Sequence, residues 1–124
     1  MIYIRKNQTN KVILTLTEMS QLQSPYYLFV FENEYNLEDD PIYWTNPDIS
    51  THTNRYNEFN LVEGEKGLPL IAGQYTYTVY ESALPNPQTI ADTTGRVIEK
   101  GRMVVEITNT TNEINNNNTN EIYL

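Results

Sequence analysis

From Leu70 to Glu81 the chain reads Leu-Ile-Ala-Gly-Gln-Tyr-Thr-Tyr-Thr-Val-Tyr-Glu, and after Gly73 it alternates with period two. Tyr75, Tyr77 and Val79 fall on one side, and Gln74, Thr76, Thr78 and Tyr80 on the other. Successive side chains of an extended chain point to opposite faces, and Tyr, Thr and Val suit a pleated, half-buried surface. The spacing predicts a β-strand opened by a turn at Gly73. No segment keeps apolar residues three and four apart for more than about two turns, which a packed helix requires. The fold class that follows is all-β. The strand carries no catalytic group.

The same period recurs along the chain. Ile2 and Ile4 alternate with Tyr3 and Arg5, Asn7-Gln8-Thr9-Asn10 reads as a polar turn, and Val12, Leu14 and Leu16 share a face. Residues 2–16 are therefore expected to form a hairpin. After Ser24-Pro25, the run Tyr26-Tyr27-Leu28-Phe29-Val30-Phe31 is apolar on both faces, as in a strand that is central or covered on its second face. Its outer face is a candidate contact surface, covered from within the chain or by a partner. Ile42-Tyr43-Trp44-Thr45 forms a short strand after the acidic turn Glu38-Asp39-Asp40-Pro41. Residues 46–53 have helix-cap character and room for one helical turn, and residues 55–62 form a further strand. Pro85 and Pro87 cannot donate ladder hydrogen bonds, so residues 82–94 are a connection. Residues 96–108 form the last run, in which Gly101 is expected to mark a bulge. About seven strands at this spacing suit an antiparallel β-sandwich.

A chain of 124 residues is expected to be one domain, with enough surface to bury a core without staples. It has 0 Cys, which excludes disulfides and thiolate metal sites. Its formal charge of -8 repels phosphate backbones, so nucleic acid is not an expected partner. No apolar stretch approaches a membrane span, and the first six residues are too short and polar for a signal-peptide core. The expected division is a sandwich over 1–108 and an extended C-terminal tail over 109–124. The tail is almost wholly Asn, Thr and Glu until Glu121-Ile122-Tyr123-Leu124. Such a composition cannot offset its ordering entropy alone. The expected anchors are Ile122, Tyr123 and Leu124, docking by strand addition on a neighbour.

Gly73-Gln74-Tyr75-Thr76-Tyr77 resembles the F strand of immunoglobulin-like domains, where Gly-x-Tyr-x-Cys is usual. The resemblance makes Tyr75 the corner tyrosine, its hydroxyl returning to nearby backbone, and puts Tyr77 where the disulfide cysteine would stand. It implies an immunoglobulin-like sandwich with Gly73, Tyr75 and Tyr77 as fold-defining residues.

Candidate chemistry is sparse. His52 is the sole histidine and lies in a Ser/Thr/Asn stretch with no nucleophile and orienter around it. Glu38, Asp39, Asp40 and Asp48 are hard oxygen ligands in type, but their spacing matches no EF-hand. Glu63, Gly64 and Glu65 read as a solvent-facing acidic loop. Neither enzymatic activity nor a cofactor is expected, and no residue is assigned a catalytic or metal-binding role. Among the aromatics, Tyr26, Tyr43 and Trp44 are candidate interface anchors. Tyr43 and Trp44 with Arg55 also form a candidate sugar-stacking set, the basis of an alternative reading as a carbohydrate-binding adhesion module.

The layout over residues 1–108 also resembles small β-domain virion proteins of tailed bacteriophages, in particular crAss-like phages of Bacteroidales. The segments that carry the likeness are Leu14-Thr15-Leu16-Thr17-Glu18, Pro25-Tyr26-Tyr27-Leu28-Phe29, Asp48-Ile49-Ser50, Arg55-Tyr56-Asn57-Glu58-Phe59, Gly73 to Glu81, and Glu99-Lys100-Gly101-Arg102. The resemblance implies a non-enzymatic virion structural protein assembled in the host cytoplasm. It implies an auxiliary capsid role in multiple copies, with the major capsid protein as partner, or else a tail, neck or fibre-associated role.

Overall fold

A computed structural model of the chain describes residues 1–35 and 38–106. Among them are seven strands: β1 (Ile2–Arg5), β2 (Thr9–Leu14), β3 (Tyr26–Asn33), β4 (Ile42–Trp44), β5 (Asn57–Val62), β6 (Gly73–Ser82) and β7 (Val97–Glu106). Five form one sheet in the order β1-β7-β6-β3-β4, and β2 pairs with β5 in a second. The protein is an all-β, immunoglobulin-like sandwich. The tail residues Ile122, Tyr123 and Leu124, and the boundary drawn at 108, lie outside the described residues.

The strands are those the alternation predicts, with one correction of pairing. β1 and β2 do not form a hairpin. β1 runs parallel to β7, with Ile2 opposite Met103 and Arg5 opposite Glu106, so the large sheet is mixed rather than wholly antiparallel. β2 runs antiparallel to β5 in the other sheet. The cause lies in the turn and in Asn10. Asn7 adopts φ 62°, and the Asn10 side chain accepts from the Arg5 amide at 2.8 Å and donates to the Arg5 carbonyl at 3.0 Å. Those are the backbone groups a hairpin partner would have used. The chain instead crosses from one sheet to the other, with the Asn10 amide closing the seam.

The core lies between the sheets. β3 contributes Tyr27, Phe29 and Phe31, β6 contributes Tyr75, Tyr77 and Val79, and the small sheet contributes Val12, Leu14, Phe59 and Leu61. Phe29 meets Phe59 across the sandwich edge to face, with ring centroids 5.1 Å apart. Trp44 packs on the same side, 5.1 Å from Phe29 and 6.3 Å from Phe31. Residues 46–53 contain no helical turn. The only short helix among the described residues is a 3-10 turn, Ile90–Asp92, within the proline-bearing connection.

Two glycines have distinct reasons. Gly73 opens β6 at φ 148°, a conformation unfavourable for any residue with a Cβ. Gly101 is not the bulge. It stands in register with Tyr77, and the irregularity falls at Ile98, between the pairs Val79–Glu99 and Tyr80–Val97. The extra residue lets Ile98 enter the core. Gly101 is required because the Tyr77 ring lies across it, and a Cβ there would stand 2.9 Å from two ring carbons and from the hydroxyl oxygen. The ring is held by its hydroxyl, which donates to Glu99 Oε2 at 2.5 Å. Burial, then the neighbouring Glu99 carboxylate, pushes the Tyr77 hydroxyl pKa up.

Gly101→Ala should lower the free energy of unfolding by about 1–3 kcal/mol, the usual cost of overpacking. Urea unfolding of the two proteins measures this. An unchanged midpoint would mean that the Tyr77 ring moves aside freely.

Candidate functional site

The outer face of the large sheet is the candidate interaction surface. Leu28 and Val30 point to this face, opposite Tyr80 and Thr78 on β6, and are 0% and 4% exposed. Among the described residues they are the two buried apolar ones that do not belong to the inter-sheet cluster. Register places two tyrosines and a valine around them: Tyr43 beside Val30 from β4, Tyr80 beside Leu28 from β6, and Val97 beside Tyr80 from β7. Tyr26, two residues before Leu28, continues the row. Tyr26, Tyr43 and Val97 are 45%, 42% and 48% exposed. Three tyrosines thus surround an apolar floor. The cation Lys100, opposite Thr78, flanks it.

Strand alternation explains the patch. In β3 the even-numbered residues Tyr26, Leu28 and Val30 face outward while Tyr27, Phe29 and Phe31 fill the core. The outward row is as apolar as the inward one, which is unusual for a face in contact with water. Further along the same face the character changes. Thr76 donates to Glu34 at 3.1 Å, and Arg102 lies 3.5 Å from the same carboxylate. The apolar area therefore has a polar, charged rim, the ordinary anatomy of a protein–protein contact.

Trp44 requires a correction. It pairs with Phe29 and faces the core, whereas Tyr43 pairs with Val30 and faces out. Adjacent residues of one strand cannot form a coplanar platform, so the sugar-stacking set of Tyr43, Trp44 and Arg55 is not assembled. Tyr26 and Tyr43 share the outer face. Tyr75 donates its hydroxyl to the Ile71 carbonyl at 2.7 Å, four residues upstream. Gly73 and Tyr77 stand in β6 as described above.

The buried acids are structural. Glu81 is 0% exposed. Its carboxylate accepts from the Ser20 hydroxyl at 2.5 Å, from the Gln21 and Leu22 amides at 3.2 and 3.3 Å, and from Arg96 through Nε at 2.6 Å and through Nη2. It ties the segment before β3 to the segment before β7. Glu63 is 3% exposed, not solvent-facing, and accepts from the Asn7 and Leu70 amides at 2.7 and 2.8 Å, with Lys6 Nζ at 3.7 Å. Burial alone would raise both pKa values. The hydrogen bonds and the neighbouring cations outweigh it, and both carboxyls sit below the usual carboxylate value.

The remaining polar candidates are likewise occupied or solvated. Asp48 accepts from the Ser50 and Glu58 amides, each at 3.0 Å, and from Asn57 Nδ2 at 2.7 Å. It lines a cleft of about 330 Å³ with Pro25, Tyr26, Tyr27 and Pro47. His52 is exposed, with Nδ1 3.0 Å from the Thr51 hydroxyl. Glu38, Asp39 and Asp40 are exposed, and no three acidic or histidine side chains among the described residues come together around a metal position. Sequence reasoning missed the latching roles of Glu63 and Glu81 and the place of Val97 in the outer patch. All three depend on long-range register, which local alternation does not carry.

No protein-family model matches the chain, and no curated protein matches it. Among solved structures it is similar to a proposed glycoside hydrolase from Bacteroides vulgatus ATCC 8482, at 9% identity and a TM-score of 0.49. The match covers 90% of this chain and 17% of that one. At that level it carries no argument about activity.

The two depressed carboxyls give a pH dependence of defined sign. The stability they contribute is fully present above the unfolded value near 4.5 and is lost as pH falls through their lower folded values. Thermal melts should be flat in this respect above about pH 5 and fall steeply below about pH 4. Glu81→Gln at pH 7 should cost about 1–3 kcal/mol, because donors built around a carboxylate lose a full partner. A variant as stable as the parent at pH 7 would contradict the latch.

Proposed function

We propose that the protein is a non-enzymatic virion structural protein, an auxiliary capsid protein that docks on the shell through the outer face of its large sheet. The observation that carries the docking face is the row Tyr26, Tyr43 and Tyr80 around the floor of Leu28 and Val30. Large, stiff aromatic side chains supply contact area at low entropic cost, and such residues dominate the energetics of protein contacts. The polar rim of Glu34, Arg102 and Lys100 fixes orientation more than affinity. The assembly class rests on the resemblance of residues 1–108 to small virion β-domain proteins. Its partner in this reading is the major capsid protein, with many copies per particle.

The chemistry of the chain is compatible with a binding role. Glu63, Glu81 and Asp48 spend their oxygens on backbone amides and neighbouring side chains. A net charge of -8 keeps free copies apart until a complementary partner removes the repulsion.

The test is incorporation. The double variant Tyr26→Ser, Tyr43→Ser alters two exposed side chains and leaves the core untouched. It should fold as the parent by circular dichroism and reduce copies per purified particle by about tenfold or more, given the weight aromatic anchors carry. Parental copy number with the variant would remove this face as the docking site. Absence of the parent protein from particles would remove the virion role itself.

A further inference from the structure

β2 has one paired edge and one open edge. On β5 the backbone groups of Glu58, Asn60 and Val62 turn away from β2. They are taken by the Ile49 amide at 2.8 Å, Asn46 Nδ2 at 2.5 Å and the Leu68 amide at 2.8 Å. The ladder to β2 therefore uses Asn57, Phe59 and Leu61, opposite Leu14, Val12 and Asn10. By strand alternation, the backbone groups of Thr9, Lys11 and Ile13, and of Thr15 just past the end of β2, project from its other edge. No hydrogen bond from a described residue reaches them. Ile13 is 54% exposed, and no proline interrupts the edge. Its single charge, Lys11, is turned toward Glu58 at 3.9 Å. An edge of this kind is a template for a further strand.

β7 ends with Glu106 opposite Arg5, and the turn after Arg5 leads within four residues to the start of β2. The chain thus leaves β7 at the end of the sandwich where β2 begins. The fourteen residues from 107 to 120 can span at most about 46 Å, against about 10 Å between packed sheets. A strand entering from that end runs in the direction of β2, so the pairing is parallel. With Glu121 beside Lys11, Tyr123 comes beside Ile13. Ile122 and Leu124 then fall beside Val12 and Leu14, on the core side. Opposite charges and an aromatic–β-branched pair are favourable cross-strand neighbours. A slip of one residue would set Ile122 beside Lys11 and reverse both faces. The covalent link presents the segment at an effective concentration on the order of millimolar, well above any free partner.

We infer that Glu121, Ile122, Tyr123 and Leu124 add to the open edge of β2 in the same molecule as a parallel third strand of the small sheet. This inference is independent of the docking face proposed above. It assigns the tail to its own domain, where the sequence reading expects a neighbour.

Hydrogen exchange of the Lys11, Ile13 and Thr15 amides tests it, comparing the full chain with a chain ending at Asn120. These amides point away from β5 and owe it no protection. The full chain should exchange them about tenfold or more slowly, at a rate independent of protein concentration. Glu121→Lys and Tyr123→Ser should each return part of the protection without touching the sandwich. Equal rates in the two chains would overturn the inference. Protection that fades on dilution, with a dimeric mass in solution, would also overturn it and place the strand, or a second β2 edge, on another copy.

Discussion

The sandwich depends on the edge-to-face contact of Phe29 with Phe59, which joins the two sheets across the core. There is no cysteine to staple them, so closure rests on burial and ring geometry. Among the described residues the small sheet has two strands, and a two-stranded ribbon is marginal alone in water. It persists because Val12, Leu14, Phe59 and Leu61 are completed by Tyr27, Phe29 and Trp44 from the other side. Tyr27 adds a second ring against Phe59, at 6.0 Å and nearly perpendicular. One aromatic cluster thus does for this chain what a covalent link does in related architectures.

Loops then have to be fixed to that framework, and two buried carboxylates each fix two of them. Glu63 ties the turn after β1 to the segment before β6, and Glu81 ties the segment before β3 to the one before β7. A buried carboxylate is favourable only when nearly all its lone pairs are filled. Both are filled here by amides, a hydroxyl or a nearby cation, and that saturation is why neither is available for acid–base chemistry. An acid rich in partners has its proton affinity lowered, the opposite of a general acid held ready near neutrality.

Period-two alternation made the strands legible, and with them the all-β class and the inward set of β6. It could not reveal pairing. The hairpin expected over residues 2–16 is the plainest case, because a polar turn between two alternating runs is the normal hairpin signal. The turn at Asn7 and the Asn10 side chain, which takes both Arg5 backbone groups, send the second strand to the other sheet. The same blindness explains Glu63, which looks solvated beside Gly64 and Glu65 until Leu70 and Asn7 fold onto it. It also explains Trp44, whose side is set by its pairing with Phe29. Of the candidate surface, Tyr26 and Tyr43 were legible as aromatics, and the doubly apolar run in β3 marked the face. The contribution of Val97 required the Ile98 bulge, which shifts the register by one residue.

What remains unsatisfied in the sandwich is of two physically different kinds. The outer face of the large sheet leaves apolar area in contact with water, a demand met by any complementary surface of suitable shape. The open edge of β2 leaves directional donors and acceptors, a demand met only by another extended backbone. Water can fill the second but gains nothing from the first. The face is therefore the part of the molecule with most to gain from a folded partner. The edge is the part that a short extended segment can complete, whether it comes from a partner or from the same chain.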